Sequence, residues 1–181
     1  MQNPRGPIRH ELVSWEEVDK LVDVLVPQID AVKGFDTILL ITRGGIIPGG
    51  LLAEALDINY VVTAAVRFPD PIISQVGEQQ FDPKLALPSF LQFPEARLIQ
   101  NRQILIVDDV WGSGRTSSTV KGRCEAAGAK AYTCVFHFNP YRSLFNNAAP
   151  DFYGAVTDAH IIYPWEVDRD VDGLLAGITE I

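Results

Sequence analysis

Two adjacent acids at the end of an apolar run are the feature of this sequence with most chemistry in it. Ile104-Leu105-Ile106-Val107 leads into Asp108-Asp109, and Val110-Trp111-Gly112-Ser113-Gly114-Arg115-Thr116 follows. The apolar run reads as a buried strand, which would deliver both carboxylates to the carboxyl edge of a sheet, where open α/β folds bind ligands. The small and hydroxyl residues after the acids open a helix whose first backbone N–H groups lack intrahelical partners, and this makes a cradle for an anion. Ser113 and Thr116 add hydroxyl donors to the cradle, which spans Gly112, Ser113, Gly114, Arg115 and Thr116. Carboxylates accept hydrogen bonds from sugar hydroxyls while such a loop holds phosphate, so the pairing suits a phosphorylated sugar.

Alternating strands and helices are needed to place these groups. Ser14 and Glu17 have capping-box spacing, and Trp15, Val18, Leu21, Val22, Leu25 and Val26 then recur at helical intervals, predicting a helix that ends at Pro27. Ile38–Ile41 is a short apolar run suited to a strand buried on both faces, closed by Arg43-Gly44-Gly45, and a helix restarts near Pro48. Further strands are predicted at 60–66, 104–107, 132–138 and, more weakly, 153–159, with a helix at 116–127 stopped by Gly128. This order implies a doubly wound, mainly parallel sheet covered by helices on both faces, in a single domain over residues 1–181. The proline-rich stretch 68–103 fits neither period; its Phe81, Leu85, Leu87, Phe90, Leu91 and Phe93 favour a flap or small accessory layer over a disordered linker.

Composition narrows the function. A formal charge of −8 with no basic run disfavours nucleic acid as a partner. Cys124 and Cys134 lack a C-x-x-C pair or nearby His ligands, so neither a zinc site nor a disulfide framework is indicated, and a reducing, cytoplasmic setting is expected. No apolar run approaches the roughly 20 residues that cross a bilayer, so no membrane association is expected.

The segment from Ile104 to Thr116 resembles the 5-phosphoribosyl 1-diphosphate motif of the type I phosphoribosyltransferases: an apolar strand, two acids, two mainly apolar residues, then a short loop ending T/S-G-x-T. The match holds at Asp108, Asp109, Ser113, Gly114 and Thr116. Ile41-Thr42-Arg43-Gly44-Gly45 is similar to the diphosphate loop of the xanthine-guanine branch, in which Arg43 would give bidentate donors to phosphate oxygens and Gly44 and Gly45 would let the backbone approach the anion. Taken alone, Arg43 reads as a surface residue in a tight turn. Ile161-Ile162-Tyr163-Pro164-Trp165-Glu166 resembles the purine-contacting end of the same branch, which puts Ile161 over the base and Glu166, with Asp108 and Asp109, at a Mg²⁺ site, while Trp165 reads as packing.

The resemblance implies transfer of ribose 5-phosphate from 5-phosphoribosyl 1-diphosphate to a nitrogenous base, a purine, with Mg²⁺ as cofactor, Asp108, Asp109 and Arg43 as catalytic residues, and a flap that excludes water. It also implies a homodimer or higher homo-oligomer. The family pattern fails at three positions, all in the base pocket. Gly112 stands where oxopurine enzymes carry an acid, Asn139 where they carry a Lys that contacts the 6-oxo group, and His160 where they carry a stacking aromatic. His160 reads equally as a base contact or a structural residue, and His137 as structural. A protein that senses 5-phosphoribosyl 1-diphosphate or a nucleoside monophosphate without catalysis is the alternative. A response-regulator-like or nucleotide-binding α/β domain lacks its own motifs here.

Overall fold

The computed structural model describes residues 9–68, 88–143 and 148–167. Continuous apolar runs become central strands because both faces of the sheet are covered. In β2 (Thr37–Ile41) every residue is buried, and in β5 (Gln103–Trp111) residues 104–107 are buried. The strand pleat divides these side chains between two cores. Ile38, Leu40, Leu105 and Val107 join one core with Val18, Leu21, Leu25 and Ile29 of α1 (Trp15–Asp30) and Leu52 of α2 (Ile46–Ala55). Leu39, Ile41, Ile104 and Ile106 join the other, with Val120 and Cys124 of α4 (Arg115–Ala126) and Ile99 of the short α3 (Ala96–Ile99).

β3 (Val61–Arg67), β4 (Ser89–Gln92), β6 (Lys130–Phe138) and β7 (Phe152–Val156) complete a sheet of order β4-β3-β2-β5-β6-β7. All its neighbours run parallel except β3 and β4. The connection reverses between β2 and β5, so the loops after these two strands face each other at the carboxyl edge, the point where such sheets bind ligands. A separate parallel pair, β1 (His10–Leu12) with β8 (His160–Ile162), lies beside it and leads into α5 (Pro164–Val167).

Four boundaries differ from the sequence expectations. The first helix continues past Pro27 to Asp30, because a proline near the end removes one donor while its own carbonyl still accepts from Ala31 (3.2 Å) and buried Ile29 holds the last turn to the core. β5 does not stop at Val107; it runs through both acids to Trp111, where it pairs with Phe138 of β6. The weak strand expected at 153–159 ends at Val156 as β7; residues 157–159 are a turn, in which the Thr157 hydroxyl accepts from Ala159 N (3.0 Å), and β8 follows from His160. β1 carries no sequence signal because its three residues are all exposed.

Of the stretch 68–103, residues 69–87 lie outside the described residues. The remainder is an edge strand, antiparallel to β3, and α3, whose Ile99 is fully buried. Cys124 and Cys134 are free and buried in opposite cores, and burial pushes the Cys124 thiol up to about 12. Among the described residues no helix is long and apolar enough to cross a membrane.

Candidate active site

The pleat of β5 would send Asp108 and Asp109 to opposite faces, yet both carboxylates turn back onto the strand. Asp109 N donates to Asp108 Oδ1 (3.1 Å) and Val110 N to Asp109 Oδ1 (2.6 Å). Each acid therefore has one oxygen committed to the strand's own backbone, and the two carboxyls also share a hydrogen bond. A side chain at Gly44 would bring its Cβ to 2.5 Å from Asp109 Oδ1 and 2.7 Å from Asp108 Oδ1, so only glycine lets the β2–α2 loop lie against the pair. At Gly45 a Cβ would fall 2.1 Å from the Val107 carbonyl. Arg43, exposed in the same loop, follows a cis peptide bond from Thr42. The structure thus brings Asp108, Asp109, Arg43, Gly44 and Gly45 to one place.

Burial raises the Asp108 carboxyl well above the usual carboxylate range, reinforced by the neighbouring Asp109 charge. Burial raises Asp109 too, against the opposing Val110 N–H and with help from the Glu166 charge. Without a ligand the pair holds protons more tightly than free aspartates do, and donors or a cation placed against it would favour the charged form.

Asp108 faces a cavity of ≈ 170 Å³ lined by Trp111, Gly112, Ser113, Gly114, Thr116 and Ser117, the predicted phosphate cradle. Gly114 caps α4 with φ 76°, and a Cβ there would sit 2.6 Å from Trp111 Nε1. The indole of Trp111 therefore fills the side of the loop where a residue other than glycine would project. Its own N–H is buried with no acceptor among the described residues. The Ser113 hydroxyl accepts from Arg115 N (3.4 Å), and the Arg115 guanidinium lies 4.1 Å from the Phe68 ring centre. Arg115 thus flanks the cradle.

Asp109 faces a second cleft, ≈ 260 Å³, where Gly112, Asn139, Arg142, His160 and Ile161 meet Tyr163 and Glu166. Gly112 has nothing within 4 Å of the position its Cβ would take. The Asn139 amide is spent on the backbone: its Nδ2 donates to Ala159 O (3.4 Å) and its Oδ1 accepts from Tyr141 N (3.2 Å). His160 is exposed, edge-on to His10 at 5.3 Å between ring centres. Glu166 Oε2 accepts from Tyr163 N (2.9 Å), and Trp165 stacks on Tyr163 at 4.4 Å, as a packing residue would.

Residues 11–170 match the model of the phosphoribosyl transferase domain. The chain belongs to the phosphoribosyl transferase domain family. It is 31% identical over 115 residues to a xanthine-guanine phosphoribosyltransferase of Cereibacter sphaeroides, an alignment covering 60% of this chain and 62% of that protein. With the xanthine-guanine phosphoribosyltransferase of Roseobacter denitrificans it shares 27% identity over 161 residues, 86% of this chain and 84% of the relative. Among solved structures, the xanthine-guanine-hypoxanthine phosphoribosyltransferase of Helicobacter pylori superposes with a TM-score of 0.72 at 19% identity, covering 93% of this chain and 99% of that one, a likeness of fold.

Within this phosphoribosyl transferase domain the sequence reading missed the groups that act through tertiary contact. The Tyr163 hydroxyl donates to the Asp109 carbonyl (3.1 Å) and lies 2.7 Å from His137 Nδ1. The phenol has one proton, used on Asp109, so His137 Nδ1 carries the hydrogen of the second bond. Burial lowers the His137 pKa, against the pull of Glu11 and Glu17, which favours the neutral ring. These residues hold the backbone of the acid pair. No spacing rule could link them, because the contact depends on β6 and the residue between β8 and α5 meeting β5.

Proposed function

We propose that the chain transfers ribose 5-phosphate from 5-phosphoribosyl 1-diphosphate to a purine base, releasing diphosphate. The observation that carries this is the seating of Gly44 against both Asp108 and Asp109, which brings the loop 43–45 to the acid pair, beside the cavity lined by Asp108 and residues 112–114 and 116. The two acids would bind ribose hydroxyls, Arg43 with Gly44 and Gly45 the diphosphate, and residues 112–116 the 5-phosphate. Anchoring at the far phosphate orients the anomeric carbon for attack. The bond from that carbon to diphosphate breaks with its electron pair leaving on diphosphate, while a ring nitrogen of the base supplies the pair for the new bond. The N–H proton of the base then passes to solvent water, since residue 112 has no side chain to take it.

Among the described residues no three His, Cys, Asp or Glu side chains converge as a metal cage. Mg²⁺ binds through one or two carboxylates plus substrate phosphates, so Asp108 and Asp109 would hold it together with the substrate, with Glu166 nearby, and when bound it would neutralise the departing diphosphate. Glu166 stands close enough for its charge to reach Asp109. The same reading includes a cytoplasmic setting and a homo-oligomer, the latter testable by light scattering.

Incubation with radiolabelled 5-phosphoribosyl 1-diphosphate, Mg²⁺ and a panel of purines tests the proposal. The expected result is a labelled nucleoside monophosphate with equimolar diphosphate. Tight sugar-diphosphate binding with no product from any base would instead leave a sensor.

A further inference from the structure

We infer that Tyr163 is a positioning residue for the transfer: its hydroxyl fixes the peptide that follows Asp109 and so aims the Asp109 carboxylate at the ribose; this rests on the transferase reading above. The pairing of β5 with β2 ends at Val107, and the β5–β6 register goes from Asp108 with Val135 to Val110 with His137 and passes over Asp109. The peptide between Asp109 and Val110 is held at both ends by side chains. Its carbonyl accepts from the Tyr163 hydroxyl (3.1 Å), and its N–H donates to Asp109 Oδ1 (2.6 Å). A peptide is planar, so fixing its oxygen also fixes the direction of its N–H, and with it the carboxylate that the N–H holds.

The phenol can act as such an anchor because its own position is over-determined. Tyr163 is 1% exposed, its ring stacks on Trp165 at 4.4 Å between ring centres, and Trp165 meets Trp15 of α1 at 5.8 Å. The hydroxyl lies 2.7 Å from His137 Nδ1, whose hydrogen it accepts, so two hydrogen bonds that polarise one another run from His137 through Tyr163 to the Asp109 carbonyl. Burial, reinforced by the charges of Asp109, Asp108 and Glu166, raises the phenol well above its ordinary range, which keeps its proton in place as a donor. The same residue reaches the third acid, since Tyr163 N donates to Glu166 Oε2 (2.9 Å). Tyr163 thus sets the acid near the end of β5 against the acid of α5.

Binding tests this without turnover. Ribose 5-phosphate brings the hydroxyls that Asp109 would hold, whereas inorganic phosphate fills the cradle alone. Affinities of both are measured by calorimetry on the wild type, Tyr163→Phe, Asp109→Asn and the double variant. Tyr163→Phe keeps the ring and removes the hydroxyl; it should weaken ribose 5-phosphate binding roughly 3- to 10-fold, the effect of losing one hydrogen bond, and leave inorganic phosphate unchanged. In the Asp109→Asn background the same substitution should have little further effect, because the carboxylate it aims is gone. His137→Phe should act in the same direction by a smaller factor, and His137→Asn, whose amide keeps a donor near the place of Nδ1, should recover part of that loss. Unchanged ribose 5-phosphate affinity in Tyr163→Phe overturns the inference. An equal loss for both ligands does the same, as does a loss that adds in full to that of Asp109→Asn; either would make Tyr163 a packing residue. Circular dichroism at the assay temperature checks that each variant is folded, and should Tyr163→Phe fail to fold, equal affinities in His137→Phe and the wild type overturn the inference. Absence of product from the wild type with every purine would count against the transferase reading alone, since this test reads binding.

Discussion

The sugar-phosphate half of the site and its base half are built differently. The first comes from two loops in which backbone and glycine do the work: Gly44 and Gly45 are pressed against Asp109 and Val107, and Gly114 against Trp111, so that hardly any other residue fits. The second is walled by side chains from the end of β6, from β8 and from α5, and its central position, Gly112, has open space where a side chain would go. A half made of close backbone approaches tolerates little change. A half made of projecting side chains can change its ligand without disturbing the sheet. The departures from the family pattern, at 112, 139 and 160, all fall in the tolerant half.

The largest expected effect comes from exploiting that tolerance. Restoring an acid by Gly112→Asp should raise kcat with guanine, hypoxanthine or xanthine by about 10² to 10⁴-fold, the usual contribution of a positioned proton-transfer group. The substitution meets no steric barrier, since no atom lies within 4 Å of the new Cβ and Gly112 is not among the residues with positive φ. Affinity for the sugar diphosphate should therefore stay constant. If affinity holds and turnover remains at background with every oxopurine, the base half does not handle an oxopurine.

The rigid half is tested by Asp108→Asn with Asp109→Asn. The amide at 108 can still accept from the backbone N–H of residue 109, so the fold should survive, while the charged acceptors for ribose hydroxyls are gone. Loss of about 2 to 4 kcal/mol in 5-phosphoribosyl 1-diphosphate binding is expected from calorimetry. Binding equal to that of the wild type would remove the pair from the sugar site and erase the contrast between the halves.

This division also explains what the sequence made legible. The rigid half lies in two contiguous runs, Ile41 to Gly45 and Ile104 to Thr116, where strand, turn and helix cap are all encoded by neighbours in the chain; Gly112, within the second run, also borders the base cleft. Reading them required only local rules. The base half is brought together from β6, β8 and α5, and the roles of Tyr163 and His137 depend on which strands pair, which local periodicity does not report. The same limit applied to the fold: the buried parallel strands were plain from their apolar runs, whereas β1, three exposed residues ordered by pairing with β8, gave no pattern at all.

The smallest effect is expected away from both halves. Asp151, just before β7, accepts from Lys121 Nζ (2.8 Å) and from Thr133 N and Oγ1 (2.7 and 2.9 Å), near the amino end of β6 and so opposite the site. Burial pushes its carboxyl upward, but the Lys121 ammonium and the Thr133 donors outweigh that and hold it below its usual value. A carboxyl depressed in the folded state is protonated more readily in the unfolded one, so its stabilisation is complete above the unfolded pKa, near 3.9, and is lost as pH falls through the folded value. Asp151→Asn keeps one acceptor and loses the charge, which should cost about 1 kcal/mol at neutral pH and lower Tm by roughly 2 to 4 °C. The gap between variant and wild type should close on acidification below about pH 4. Sugar-diphosphate and purine monophosphate affinities should both be unmoved by the substitution. A change in either would mean that the two halves are coupled through the length of β6, and that the tolerance assigned to the base half is a property of the whole sheet.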